Sequence, residues 1–211
     1  MVADWLGTVS KLSHRRFARP GDLGLPRSDF AILARLRSPE RIQSFLNRVS
    51  VNHEIGGETV LSVQQVLMQR RAHCIEAAFV AACALWVHGK RPLVMYLDCD
   101  PSDCPHVVAL FKSNGCWGAI SKSRGEGLSY RDPVYRSLRE LAMSWFHEYL
   151  DDRGRRTLRE YSVAFDMRGL EPNLWVTSNE PCDEAQDRLA RLRRYPLISR
   201  RQEKVVLTRM G

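Results

Sequence analysis

The feature that most constrains the fold is an unbroken run of apolar residues, 77–87, inside a predicted helix. The helix is predicted to begin near Ala72, to run to Val87 and to end at Gly89, where a left-handed residue is favoured. A helix that is apolar around its whole circumference must be covered on every side. The sequence therefore predicts a central buried helix with the rest of the chain packed around it.

Capping residues predict three helices before this central one. The first covers residues 28–37, and the second begins with Ser38 followed by Pro39, which are favoured N-cap and first-turn residues. Ser62 and Gln65, three positions apart, have the spacing of a capping box and predict a third helix.

Three short segments after the central helix have the composition of strands: 93–97, 107–111 and Cys116–Ile120. Asn114 and Gly115 separate the last two, and this dipeptide is a strong signal for a two-residue hairpin turn. Because side chains alternate between the two faces of a strand, such a turn places His106 and Ser121 on the same face.

The remaining chain is predicted to add a helix, a strand and a helix. The Asp-Pro pair at 132–133 begins a helix whose apolar residues recur at steps of three and four to about residue 154. A strand is predicted at 157–165 and a last helix at 179–194. Helices followed by an antiparallel meander and more helices predict an α+β fold.

A chain of 211 residues is expected to form one domain overall, here with three parts. These are an N-terminal helical segment (1–57), a core (58–165) and a C-terminal helical extension (166–211).

The composition of the chain argues against membrane and nucleic-acid partners. No apolar stretch reaches the roughly 20 residues that span a bilayer, and the N-terminal residues lack a secretory pattern. We therefore expect a cytoplasmic protein with reduced thiols and no membrane partner. The net charge of +8 comes from scattered basic residues without a nucleic-acid-binding motif, so nucleic acid is not an expected partner. No cofactor is predicted, and the oligomeric state stays open.

Cys74 lies about two residues inside the predicted central helix. Unpaired N–H groups and the positive end of the helix dipole favour a thiolate there. Arg70 and Arg71 are expected to add positive potential. Cys83, nine residues deeper in the same helix, is predicted to be a small core residue.

A nucleophilic thiol needs a base, and His106 is the predicted one because it opens a strand directly after an acidic loop. His73 is adjacent to Cys74, and helical geometry would direct it about 100° away from the thiol. His147 is predicted to be structural. Glu76 is expected to form a salt bridge with an arginine.

These residues lie in three segments: HCIEAAFVAACALWVHGKRP, HVVALF and GCWGAIS. Together they resemble the bacterial transglutaminase-like (papain-type cysteine peptidase) superfamily, and the continuation YRDPVYRSLRELAMSWFHEYL is similar as well. The resemblance covers about residues 58–165. It implies a core helix carrying Cys74 that packs on an antiparallel sheet.

The resemblance also implies roles for individual residues. Cys74 would be the nucleophile and His106 the general base. The third catalytic residue follows a tryptophan by four positions, which here gives Ser121 after Trp117, where the family has Asp or Asn. Trp117 is expected to contact substrate. Three acidic residues in the loop before His106 are alternatives to Ser121: Asp98, Asp100 and Asp103.

The function implied is cysteine-dependent acyl transfer or amide hydrolysis on a protein or peptide substrate. One alternative is a catalytically inactive binding module on the same fold, since Ser121 carries no charge. The other is a small zinc-binding domain, because zinc-ligand residue types surround one loop and hairpin: Cys99, Cys104, His106 and Cys116.

Overall fold

The computed structural model describes residues 14–54, 59–123 and 127–206. Within these ranges the protein is α+β, with helices packed on a largely antiparallel sheet, which confirms the predicted class. The predicted boundary at residue 57 lies outside the described residues. None of the helices in these ranges is long and apolar enough to cross a membrane.

The helices of the described ranges are α1 (Pro20–Leu23), α2 (Arg27–Arg35), α3 (Pro39–Asn47), α4 (Val63–Gln69), α5 (Cys74–Val87), α6 (Leu138–Met143), α7 (Asp183–Ala190) and α8 (Arg200–Glu203). Both predicted N-caps are confirmed. The hydroxyl of Ser38 accepts from the Arg41 N–H at 3.4 Å, and that of Ser62 accepts from the Gln65 N–H at 3.3 Å. Two 3₁₀ turns precede α7, at Met167–Gly169 and Pro172–Leu174.

Nine strands are described: β1 (Ser50–Val51), β2 (Arg71–Ala72), β3 (Leu93–Cys99), β4 (His106–Ser113), β5 (Cys116–Ile120), β6 (Arg131–Tyr135), β7 (Leu158–Ser162), β8 (Phe165–Asp166) and β9 (Arg194–Pro196). β1 and β2 form a parallel pair. The main sheet has the order β6-β5-β4-β3-β7-β9, and β8 also pairs with β3. Every pairing in it is antiparallel.

The β4–β5 hairpin has the predicted register. Asn114 (φ 49°) and Gly115 (φ 81°) both have the positive φ that a type I′ turn requires. Ala109 pairs with Ile120, and the pairing continues without a bulge to the turn. The face that carries His106 is therefore the face that carries Ser121, as predicted.

Helix α5 is buried along its length, which confirms the central expectation. All of residues 75–86 are buried, and the helix packs on one face of β4 and against α2, α3 and α4. Phe79, on α5, meets Trp175 edge to face with ring centroids 5.9 Å apart. The opposite face of the sheet is covered by α6 and the turns after it, where Trp145 and Tyr149 are buried.

The helix predicted from the Asp-Pro pair at 132–133 is wrong. Residues Arg131–Tyr135 form β6, an edge strand, where a proline without an N–H is tolerated. The helix begins instead at Leu138, because the Ser137 hydroxyl accepts from the Glu140 N–H at 3.1 Å. It ends at Met143, and turns continue the apolar periodicity to Tyr149.

Two further segments differ from the prediction. The strand expected at 157–165 is split into β7 and β8. The last helix starts late, because the backbone N–H of Cys182 is bonded to the Val60 carbonyl at 2.9 Å and the chain turns helical only afterwards. It ends at Ala190, and Tyr195 on β9 pairs with Tyr161 on β7. The segment 166–211 is thus not purely helical.

Replacing Phe79 by alanine tests how far the fold depends on α5 packing. The side chain is fully buried, so we expect Phe79→Ala to lower the free energy of unfolding by roughly 3–5 kcal/mol. Urea unfolding measures this as a lower midpoint at an unchanged slope. Met68→Ala, at an exposed apolar residue on α4, is the control and should change stability by less than about 0.5 kcal/mol. Equal losses in both variants would contradict the prediction.

Candidate functional site

Cys74 is the first residue of α5, and this position exposes its thiol to unpaired helix N–H groups. Arg70 ends α4 in the left-handed conformation (φ 57°), and the two residues of β2 then lead into the helix start. The Cys74 side chain is half-buried, whereas Cys83 is fully buried. Burial raises the pKa of Cys83, so its predicted role as a core residue is consistent with its surroundings.

The Cys74 thiol ionises easily because two histidines act on it. Burial opposes ionisation, but hydrogen bonding and charge from His106, and then from His73, lower the pKa of Cys74 to about 5. At neutral pH the sulfur is therefore a thiolate. His106 and His73 approach this sulfur from different elements, β4 and the N-cap of α5.

The two arginines expected to assist the thiol have other partners. The guanidinium of Arg70 lies 5.4 Å from the ring centroid of Phe45. The Nε of Arg71 donates to the Gln69 side chain at 2.9 Å. The positive charge beside the sulfur comes from imidazole rings.

A hydrogen-bond chain fixes which nitrogen of His106 carries a proton. The Nε2 atom of His106 lies 2.8 Å from the Ser121 hydroxyl oxygen, and both residues are buried. That hydroxyl donates its own proton to the Leu128 carbonyl, which can only accept. The serine oxygen must therefore accept from Nε2–H. A neutral His106 then has its lone pair on Nδ1, the nitrogen that a base would use toward Cys74.

Ser121 is held in place by a glutamine from the N-terminal helices. Gln43, on α3, donates from Nε2 to the Ser121 carbonyl at 2.7 Å and accepts from the Ser121 N–H at 3.0 Å. The next residue adds two bonds, because Lys122 Nζ donates to the carbonyls of Leu46 (3.1 Å) and Val49 (2.7 Å) near the end of α3. Gln43 was not predicted, since nothing local in the sequence links residues 78 positions apart.

Two expectations about the start of α5 are wrong. His73 does not point away from the thiol: its Nδ1 atom lies 4.0 Å from the Cys74 sulfur. His73 is the N-cap, with extended dihedrals (φ −98°, ψ −168°), so the angular spacing of a helix does not apply to it. Glu76 is fully buried, and no arginine of the described ranges forms a salt bridge with it; it accepts from the His73 N–H at 2.7 Å. The spacing of these two residues is that of a capping box, which was the available signal.

The acidic residues proposed as alternatives to Ser121 have other partners. Asp98 lies 3.2 Å from an Arg194 nitrogen, Asp100 lies 3.9 Å from Arg159, and Asp103 accepts from the Thr157 hydroxyl.

Trp117 lies on β5, near the turn of the hairpin. It lies four residues before Ser121, roughly 13 Å along the strand. The Lys112 ammonium lies 4.2 Å from its ring centroid. A substrate contact for Trp117 stays a prediction.

The described residues do not form the predicted zinc site. Across residues 14–54, 59–123 and 127–206, three or more His, Cys, Asp or Glu side chains are nowhere grouped to hold a metal ion. Cys116 pairs with Ser113 beside the hairpin turn, at the opposite end of β4 from His106.

The hydrogen-bond chain predicts the tautomer of His106. In a Cys74→Ala variant above about pH 8, the neutral ring should carry its proton on Nε2, because the serine oxygen accepts there. Nitrogen-15 NMR of the histidine rings, assigned by comparison with a His106→Gln variant, measures this directly. Ser121→Ala should abolish the preference, and Ser113→Ala, at an exposed serine on the same hairpin, should leave it unchanged. A proton on Nδ1 in the Cys74→Ala protein would refute the assignment.

Comparison with known proteins adds no family to this geometry. No protein-family model matches the chain, and no curated protein matches it. The candidate site is therefore defined by its own atoms: the thiol of Cys74, the ring of His106, the hydroxyl of Ser121 and the carbonyl of Leu128.

Proposed function

We propose that the protein is a cysteine-dependent acyl-transfer enzyme that cleaves amides or esters, on a papain- and transglutaminase-like architecture. The observation that carries the proposal is the directed hydrogen-bond chain from Leu128 through Ser121 to His106, whose ring hydrogen-bonds to Cys74 and lowers the pKa of its thiol. A thiolate at a helix start, an imidazole and a third group that orients the ring are the parts that nucleophilic thiol catalysis requires.

The steps follow from the positions of the protons. The Cys74 thiolate attacks the carbonyl carbon and forms a C–S bond. His106, protonated at Nδ1, gives that proton to the leaving amine or alcohol as its bond to carbon breaks, which leaves a thioester. Water or an amine then loses a proton to Nδ1 and attacks the thioester. The acid or new amide departs, and the thiolate is restored.

Ser121, the third group of the proposed site after Cys74 and His106, orients the His106 ring but supplies no charge. Its oxygen accepts from Nε2–H in both the neutral and the charged ring, so it selects one tautomer throughout the cycle. A carboxylate would also stabilise the imidazolium, and an amide oxygen would do so less. We therefore propose a slow enzyme whose thiolate depends on groups other than Ser121.

The substrate class proposed is a protein or peptide amide, and the setting a reducing cytosol. All six cysteines lie in the described ranges, and all six are free thiols. A thiolate that persists near neutral pH is readily oxidised, so a reducing compartment suits this site. An inactive binding module on the same fold is the outcome in which the tests below find no turnover.

Removing the nucleophile or the base should abolish turnover. We expect Cys74→Ala to lose all thiol-dependent activity on a panel of amide and ester substrates, because no bond to sulfur can form. His106→Ala should lower kcat/KM by roughly 10²–10⁴-fold, the usual contribution of general acid–base catalysis. Cys104→Ala removes an exposed thiol and is the matched control. Equal rates in Cys74→Ala and the parent would exclude the proposed function.

The pH dependence of alkylation tests the thiolate without a substrate. Because the pKa of Cys74 is lowered to about 5, its reaction with iodoacetamide should be nearly constant from about pH 6.5 to 8.5 and fall below about pH 5. An ordinary thiol, with a pKa of about 8.5, gains reactivity across that upper range. Peptide mapping by mass spectrometry separates Cys74 from the exposed Cys104. A Cys74 midpoint near 8.5 would contradict the expectation.

A further inference from the structure

We propose that Glu76 and His73 form a fixed ion pair that holds positive charge beside the Cys74 sulfur, while His106 moves the proton. This assignment makes His73 and Glu76 positioning residues, and it rests on the proposed function. It divides between two histidines the two tasks that a single imidazole usually performs.

The surroundings of His73 favour its protonated form. Its Nε2 atom lies 2.8 Å from the Thr59 carbonyl oxygen, which can only accept, so this nitrogen carries a proton. The same nitrogen lies 3.4 Å from a Glu76 oxygen and 3.5 Å from a Glu54 oxygen. Its Nδ1 atom lies 4.0 Å from the sulfur of Cys74. Both ring nitrogens thus face groups that attract a positive charge.

Glu76 has the contacts of an ionised carboxylate in the interior. It accepts from Asn52 Nδ2 at 3.0 Å, from the Leu61 N–H at 2.8 Å and from the His73 N–H at 2.7 Å. A protonated oxygen would direct its own hydrogen at one of these donors. Burial raises the pKa of Glu76, and the charge of His73 and these three donors act against that rise. A buried charge needs such a partner, and the nearest one is the His73 ring.

The pKa of His73 agrees with this geometry. Burial works against protonation, but hydrogen bonding with Cys74 and the charge of Glu76 raise the pKa of His73 to about 9. At neutral pH the ring is an imidazolium.

Two tyrosines that act electrostatically on the Cys74 sulfur carry no charge near neutral pH. Tyr96 on β3 and Tyr149 after α6 both interact with Cys74. Burial raises the pKa of Tyr96 to about 12 and raises that of Tyr149 further, so both phenols stay neutral. His106 and His73 are the charged groups that act most strongly on the ionisation of Cys74.

The division of labour has a chemical reason. When the thioester breaks down, Cys74 must leave as a thiolate while His106 holds a proton taken from the attacking water or amine. A cation that exchanges no proton during the cycle stabilises the departing sulfur at that moment. The uncharged Ser121 makes this help more important, because it adds no electrostatic support to His106.

The test is the alkylation profile of Cys74 in a His73→Gln variant. Glutamine can still donate to the Thr59 carbonyl but carries no charge, so the midpoint should rise by about 1–3 pH units, the range for loss of a nearby opposite charge. Glu76→Gln should also raise the alkylation midpoint of Cys74. His88→Gln is the matched control: His88 caps the other end of α5, and its Nε2 atom lies 3.2 Å from the Leu33 carbonyl oxygen. The alkylation midpoint of Cys74 in His88→Gln should equal that of the parent protein.

The outcomes separate this inference from the proposed function. A low midpoint in the parent that stays within about 0.3 units in a folded His73→Gln protein overturns the inference alone. A parent midpoint near 8.5 overturns the thiolate on which both depend. A second measurement needs no variant: nitrogen-15 NMR of the parent at about pH 7.5 should show both His73 ring nitrogens protonated, and a neutral ring overturns the inference.

Discussion

The burial of α5 from residue 75 to residue 86 is the constraint on which the rest of the structure depends. An apolar helix without a solvent-facing side must be enclosed, and the sheet, the N-terminal helices and the segment around Trp175 enclose it. Enclosure also buries the polar groups at its N-terminal end. Glu76 is there because the N–H groups of His73 and Leu61 need acceptors that water cannot provide. The buried carboxylate that results lies at the same helix end as Cys74.

Buried hydrogen bonds give the site its direction. The Leu128 carbonyl can only accept, so the Ser121 hydroxyl must donate to it, and the histidine must then donate to the serine. No charge is needed for this ordering, so an uncharged residue is enough to orient the ring. His73, from the N-cap of α5, lies between Glu76 and Cys74, and in our proposal it supplies the charge that Ser121 lacks.

Local signals in the sequence predicted part of the fold and part of the candidate site correctly. The apolar run gave the buried helix, the Asn-Gly pair gave the hairpin register, and alternation put His106 and Ser121 on one face. Two kinds of information were missing. The Asp-Pro pair at 132–133 resembles a helix start, and only pairing with β5 makes it an edge strand. Gln43 meets Ser121 through tertiary packing, which leaves no trace in either local sequence.

The amide of Gln43 satisfies both backbone groups of Ser121, much as a neighbouring strand would. One side chain of α3 therefore completes the sheet where β5 ends. This sets a lower limit on how short the protein can become. A chain trimmed to residues 58–165 would keep the thiol of Cys74 and the imidazoles of His73 and His106. It would leave an N–H and a carbonyl of the serine exposed or unbonded, and the orienting hydroxyl would lose its anchor. The helices before residue 48 are thus part of the catalytic apparatus that we propose, although none of their atoms takes part in the chemical steps.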